Sequence, residues 1–350
     1  MNAKKQYLVV GGGVGGLFLT HQLCEEGHHV TLIDRGTNKS SVIAAGLINP
    51  LVFRRMTKSW RADELIPFAS NVYRLLESAT GVSFFHSITI RRFFSSEQER
   101  NFWLEKQHLR EFEHYMEPLS EEDLGFSSFE LKNDFGSGRV KGAYWVNTSL
   151  FIESVWKHLA KRAEVITGEF EYAQLNAERT EYQHKKYDGI IFCTGHENSD
   201  NPLFSFLPVQ TTKGEILTVV SEDLPSDFSI NRKCFVLPTG DGHFRVGATY
   251  VWNTKDTQPT AEGREEILQK LKVLSPTVPS VVDHQAGIRP TSPDRRPIMG
   301  RHPEHHNIFL FNGLGTKGYM IAPLLACELT ALICRKKELS PEVDLKRFLK

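Results

Sequence analysis

The sequence predicts an α/β chain in two domains, a parallel-sheet domain assembled from separated segments and an inserted α+β domain with a mainly antiparallel sheet. Three observations carry this expectation. A glycine-rich turn joins an apolar run at residues 7–10 to an apolar helical stretch that ends before Gly27. Runs with buried-strand character return far downstream, at residues 189–192 and 308–311. Between these blocks apolar and polar residues alternate, the pattern of a sheet with one wet face.

Taken in order, residues 7–10 run directly into Gly11-Gly12-Gly13-Val14-Gly15-Gly16. Leu17, Leu19 and Leu23 then carry an apolar helical face, and Gly27 supplies the terminator. Residues 29–33 read as a second strand ending at Asp34, so strand, turn, helix and strand form a compact opening unit. Residues 189–192 lead into Cys193-Thr194-Gly195. Residues 308–311 lead into Asn312-Gly313-Leu314-Gly315 and a helix over about 318–334. The alternating texture predicts strands at 87–94, 215–220 and 243–249, with helices at 97–113 and 261–274. The expected domains are therefore 1–80, 145–209 and 284–350 for the first, and 81–144 and 210–283 for the second.

Composition narrows the function classes. The 350 residues are 40% apolar and 24% charged, enough for two domains with sizeable cores. Forty-two basic residues balance 42 acidic ones, so no global field draws the chain to nucleic acid or to an anionic membrane. No run approaches the ~18 apolar residues that cross a bilayer. The short stretch after Tyr7 is broken by glycines and lacks a signal-peptide cleavage pattern. Cys24, Cys193, Cys234, Cys327 and Cys334 form no CxxC pair, which fits buried thiols in a reduced, cytoplasmic compartment. His28-His29, His302 and His305-His306 lack zinc spacing, and no metal site is expected.

Residues 11–16 match G-x-G-x-x-G between a strand and a helix, the context that gives the pattern its meaning as a dinucleotide turn of a Rossmann-type domain. Gly11 permits the tight turn, Gly13 admits a pyrophosphate close to the backbone, and Gly16 lets helix and strand touch. Amides at the helix start then meet the phosphates. Asp34 ends the second strand, where a carboxylate accepts hydrogen bonds from ribose hydroxyls and repels a 2′-phosphate. The turn alone does not separate FAD from NAD.

Four further blocks bear on that choice. They are Ala44-Ala45-Gly46-Leu47-Ile48-Asn49-Pro50; the run 188–195; the run 235–249 with Pro238, Gly242, Gly247 and Thr249; and Gly287-Ile288-Arg289-Pro290-Thr291 followed by 294–300 and 307–323. In content and order they resemble the D-amino acid oxidase and glycine oxidase family over nearly the whole chain. The resemblance implies a Rossmann-type FAD-binding domain with an inserted substrate domain. It also implies oxidation of the C–N bond of a small amino acid or secondary amine, by hydride transfer to flavin N5 with oxygen as acceptor. FAD would be non-covalent, because no cysteine lies close to Met320. Thr20 departs from the family, which carries a small residue there. The cofactor-binding set expected from turn and resemblance together is Gly11, Gly13, Val14, Gly15, Gly16, Asp34, Arg35, Ala45, Gly46, Thr194, Gly195, Gly313, Gly315, Thr316, Lys317 and Gly318.

Residues 313–321 place glycines at the start of a helix, whose amides can stabilise negative charge on a reduced flavin. Lys317 is either part of that site or a solvated surface residue. Arg289 is the candidate for gripping a substrate carboxylate through two parallel hydrogen bonds; the alternative is a structural ion pair with Asp283 or Asp294. Tyr250, Trp252 and Tyr319 are pocket walls or plain core. A substrate amine that arrives neutral needs no protein acid or base, so positioning carries the catalysis. Three other readings stay open, a dehydrogenase with a different electron acceptor, an oxidase acting on a tRNA carboxymethylaminomethyl group, and a flavin-binding protein without turnover.

Overall fold

The structure, a computed structural model, describes residues 3–36, 39–277 and 279–349. A six-stranded sheet runs in the order Ile298–Arg301, Ile308–Asn312, Gly189–Phe192, Gln6–Val10, His29–Asp34, Glu164–Thr167. Ile298–Arg301 is an antiparallel edge, and the other five strands are parallel. The continuous apolar runs of Gln6–Val10, Gly189–Phe192 and Ile308–Asn312 follow from burial on both faces, whereas the edge strand Glu164–Thr167 is largely exposed. Leu8, Val10, Ile190 and Phe192 enter one core, and Tyr7, Val9, Ile191 and Phe309 enter the other. The second face is covered by the helices Val14–Glu25, Ala62–Thr80 and Gly318–Arg335, which pack on one another. Residues Gly315–Arg335 are long and apolar enough to cross a bilayer, but this helix contributes Met320, Leu325 and Leu329 to the main core.

The larger sheet is mainly antiparallel. Its order is Val251–Trp252, Gln210–Val220, His243–Gly247, Phe235–Gly240, Phe228–Asn231, Phe85–Phe93, Ser137–Val146, Leu47–Ile48, and Ser280–Thr291 lies along the free edge of Gln210–Val220. One pair, Phe228–Asn231 with Phe85–Phe93, is parallel.

Several elements differ from the sequence expectation. The predicted helix 97–113 stops at Lys106, where the side chain of Gln107 accepts the Leu119 amide and turns the chain back. The helices Ala62–Thr80 and Thr148–Leu159 were not foreseen. Residues 284–291, grouped by sequence with the nucleotide domain, belong to a single strand hydrogen-bonded to Gln210–Val220 in the larger sheet. That strand also touches the segments Lys39–Ile43, Gly195–Asp200 and Gly315–Lys317 of the smaller sheet's side, so it forms the seam between the two.

A charged cluster braces the far side of Gln210–Val220. Glu215 is buried and accepts the Thr260 amide at 3.0 Å and its hydroxyl at 2.9 Å, which caps the helix Ala261–Lys272. Lys213, also buried, lies 3.4 Å from Glu215 and 3.0 Å from Asp256. Removing one member of such a cluster strands the others away from water. Glu215→Ala should lower unfolding stability by about 3 kcal/mol, measured as a reduced urea midpoint; an unchanged midpoint would show that the cluster does not brace the strand.

Candidate active site

The glycine turn is built for close approach. Gly11 has φ +102°, and a Cβ there would lie 2.6 Å from the Cys193 carbonyl oxygen. A Cβ on Gly16 would lie 1.8 Å from the carbonyl oxygen of Gly11, so the helix reaches the strand end only with glycine at 16. Gly13 precedes the helix Val14–Glu25 with no capping side chain, and the first turn carries no acidic residue. The Val14 amide donates to Ser41 Oγ at 3.0 Å, and a Cβ on Gly15 would touch Leu314 at 3.2 Å. Thr20, at the position that departs from the family, is fully buried in this helix and its hydroxyl has no protein partner. Asp34 accepts the amides of Gly12 at 2.6 Å and Gly36 at 2.7 Å, which fixes the carboxylate beside the turn. Arg35 is exposed and pairs with Glu197.

The loop after Asp34 is held from three directions. Arg245, from the larger sheet, donates to the carbonyl oxygens of Ile43 and Ala44. Thr148 donates to Val42 O at 2.6 Å, and Tyr319 donates to Ser41 O at 2.7 Å. Ala45 is half-buried, and Gly46 has φ +73° with Val146 O 2.1 Å from where a Cβ would stand. Tyr319 is therefore core, and its hydroxyl positions the loop. The sequence offered no sign of Arg245 or Ser41.

Thr194 and Gly195 follow the strand Gly189–Phe192. The Thr194 hydroxyl is buried without a protein partner. Gly195, at φ +59°, offers its carbonyl to Asn312 Nδ2 at 2.9 Å, and Asn312 Oδ1 accepts the Gly313 amide at 2.8 Å. One buried asparagine thus joins two of the expected cofactor turns. Gly313 and Gly315 both take positive φ, and Thr316 is exposed at the head of the long helix. The start of Gly318–Arg335 has neither a capping side chain nor an acidic residue, so its dipole is unneutralised. Lys317 is not a solvated surface residue. Its ammonium donates to Asn49 O at 3.1 Å and to the Ser59 hydroxyl, and burial pushes its pKa down to about 8. Gly318 packs toward Val14, 3.3 Å from where its Cβ would be, which brings this turn against the first helix.

Arg289 lies across the seam. Asp294 pairs with Arg347, and Asp283 accepts the neighbouring His284 amide, so neither of the two expected ion-pair partners holds Arg289. Among the described residues no carboxylate pairs with it. Its guanidinium fills the space above Gly214, 1.9 Å from where a Cβ would be, and stacks on Tyr250 at 4.7 Å. Its one hydrogen bond is a long one, 3.4 Å to Thr249 O, and burial lowers its pKa. Gly214 escaped the sequence reading, although a glycine inside an otherwise β-branched strand signals close approach of another group.

The residues fit a flavin dinucleotide on their own geometry. The turn has no room for a Cβ at Gly11, Gly12 or Gly16, neither helix start carries an acidic residue in its first turn, and the buried Thr194 hydroxyl has no protein partner. The expected segments 11–16, 34–36 with 39–46, 194–195 and 313–318 converge, while Arg35 is exposed at their margin.

Comparison with known proteins agrees. Residues 6–332 match the family described as FAD dependent oxidoreductase. The glycine oxidase of Bacillus subtilis (strain 168) is 25% identical over 367 residues, covering 95% of each chain. The glycine oxidase of Geobacillus kaustophilus superposes with a TM-score of 0.82 at 19% identity, over 99% of this chain and 98% of its own. The L-proline dehydrogenase of P. horikoshii superposes with a TM-score of 0.80 at 16% identity, over 99% and 97%. With a cradle shaped for a dinucleotide and a family match spanning nearly all its length, this chain belongs to the FAD-dependent oxidoreductases.

Proposed function

We propose that the protein oxidises the C–N bond of a small amino acid or secondary amine, with oxygen as the final electron acceptor. The observation that carries this reading is Arg289, a half-buried guanidinium at the seam with no carboxylate partner among the described residues. Burying a cation unpaired is costly, and such a group persists where a ligand supplies the countercharge. A substrate carboxylate fits the requirement, since the planar fork grips two oxygens at once. The glycine oxidases among its relatives act on a substrate of this kind by name.

Bound FAD supplies the two-electron acceptor for a hydride leaving the carbon next to nitrogen. Arg289 fixes the carboxylate, and with it the orientation of that carbon, which is where an enzyme of this type gains its rate. The uncapped helix start at Gly315–Gly318, with Lys317 within it, favours negative charge at that end of the site. We place the cofactor on Gly11, Gly13, Val14, Gly15, Gly16, Asp34, Ala45, Gly46, Thr194, Gly195, Gly313, Gly315, Thr316, Lys317 and Gly318, with Arg35 at its margin.

The purified protein should be yellow and should bleach when a panel of glycine, D-amino acids and N-methyl amino acids is added anaerobically. Arg289→Ala should lower kcat/KM on the best of them by about 30- to 1000-fold, the equivalent of losing a buried charge-assisted pair. A protein that no member of the panel bleaches, or an Arg289→Ala variant as active as its parent, would overturn the assignment. Replacing oxygen with a dye acceptor then decides whether oxygen is the partner; faster turnover with the dye would favour a dehydrogenase.

Lys317 provides a separate check on the cradle. Its folded pKa of about 8 lies below that of a free lysine, so the unfolded chain binds the extra proton between the two values. The buried ammonium therefore costs stability below pH ~8, and the cost fades toward pH ~10.5. Lys317→Met should raise the Tm of the cofactor-free protein at pH 7, and the gain should shrink as the pH climbs through that window. A gain independent of pH would mean that Lys317 is neutral or solvated.

A further inference from the structure

The face of the larger sheet that carries Arg289 has more on it than a carboxylate clamp. Opposed residues in an antiparallel ladder point to the same face. Thr212 is opposed by Arg289 on one side and by Trp252 on the other, so the three form a row across the sheet. Tyr250, two residues before Trp252, lies on the same face and stacks on the Arg289 guanidinium. Two inter-strand spacings put the Arg289 and Trp252 backbones about 10 Å apart. The guanidinium closes part of that gap by lying over Gly214.

Tyr250 and Trp252 are 55% and 47% exposed, two aromatics on the face of a half-buried cation. Two exposed aromatics on the face that carries Arg289 offer apolar area for a ligand held there to cover. The strand's own charges point elsewhere. Lys213 and Glu215 alternate with Thr212 and Gly214 onto the opposite face, where they engage each other and Asp256. Between Arg289 and Trp252 the row offers only the Thr212 side chain, which donates to Thr291 at 3.3 Å.

Resting on the reading of Arg289 as the carboxylate anchor, we infer that Trp252 and Tyr250 form an apolar wall that selects substrates with a hydrophobic or aromatic substituent over glycine-sized ones. The carboxylate fixes one end of the molecule on Arg289, and the remainder lies along the two rings. A ring laid on an indole face removes apolar area from water and adds an aromatic contact, worth roughly a tenfold preference.

Two carboxylates without an amine test this on the holoenzyme, since binding beside a flavin perturbs its visible spectrum. Phenylacetate should bind about ten times more tightly than acetate. Trp252→Ala should reduce that ratio to threefold or less, and Trp252→Phe should restore most of it; Trp252 is half-exposed, so neither change threatens the core. Equal affinity of the two ligands in the parent protein would overturn the inference and leave the carboxylate reading standing, as would a preference that survives in Trp252→Ala. An aromatic wall reserved for a protein partner would give the first of these results. If instead acetate binds Arg289→Ala as well as it binds the parent, the anchor itself is wrong and the wall falls with it.

Discussion

The contact on which the structure depends is the one between Gly16 and the carbonyl oxygen of Gly11. A methyl group at 16 would sit 1.8 Å from that oxygen, so any other residue would move the helix Val14–Glu25 off the end of the central strand. The displacement would spread. Through Val14 the helix holds Ser41, and the loop around Ser41 is shared with Tyr319, Thr148 and Arg245. Each of those side chains belongs to a different element, so the turn fixes the geometry of the whole seam.

At that seam stand three cations without carboxylate partners among the described residues. Arg245 holds backbone carbonyls, Lys317 holds a carbonyl and a hydroxyl, and Arg289 holds almost nothing. In each, burial pulls the pKa below its ordinary value. Elsewhere the chain pairs its buried arginines with carboxylates, Arg91 with Asp123 and Arg92 with Glu99. The contrast separates structural charge from charge held for a ligand. A seam with three half-buried cations, none ion-paired to a carboxylate among the described residues, has a place prepared for anions.

The parts of this arrangement that were legible in the sequence are those governed by local rules. The glycine turn, the parallel strands and the Gly-to-helix turn at 313–318 each obey short-range geometry, and Asp34 follows from its place at a strand end. Arg289 was found through a resemblance, because an arginine in a strand says nothing about its partner. What stayed hidden was long-range. Arg245 reaches across about two hundred positions of sequence to Ile43 and Ala44, and Asn312 ties Gly195 to Gly313. The length of the strand Ser280–Thr291 was hidden for a related reason: at the seam Ala286, Gly287 and Ile288 are buried in succession, so the strand lacks a clean alternation.

Tertiary placement also explains why the clamp and the aromatic wall occur on this strand and no other. Gln210–Val220 has neighbours on both edges, and at Gly214 it leaves a side-chain-free step. A guanidinium can cross the strand only at such a step, and by crossing it comes to lie on Tyr250. Its direction is then set by packing and not by an acidic partner, and one long bond to Thr249 O is all that the guanidinium donates to the protein. An ion pair would have oriented Arg289 equally well, at the cost of occupying the hydrogen bonds that a substrate carboxylate must use. The glycine and the tyrosine together achieve the orientation without consuming the donor.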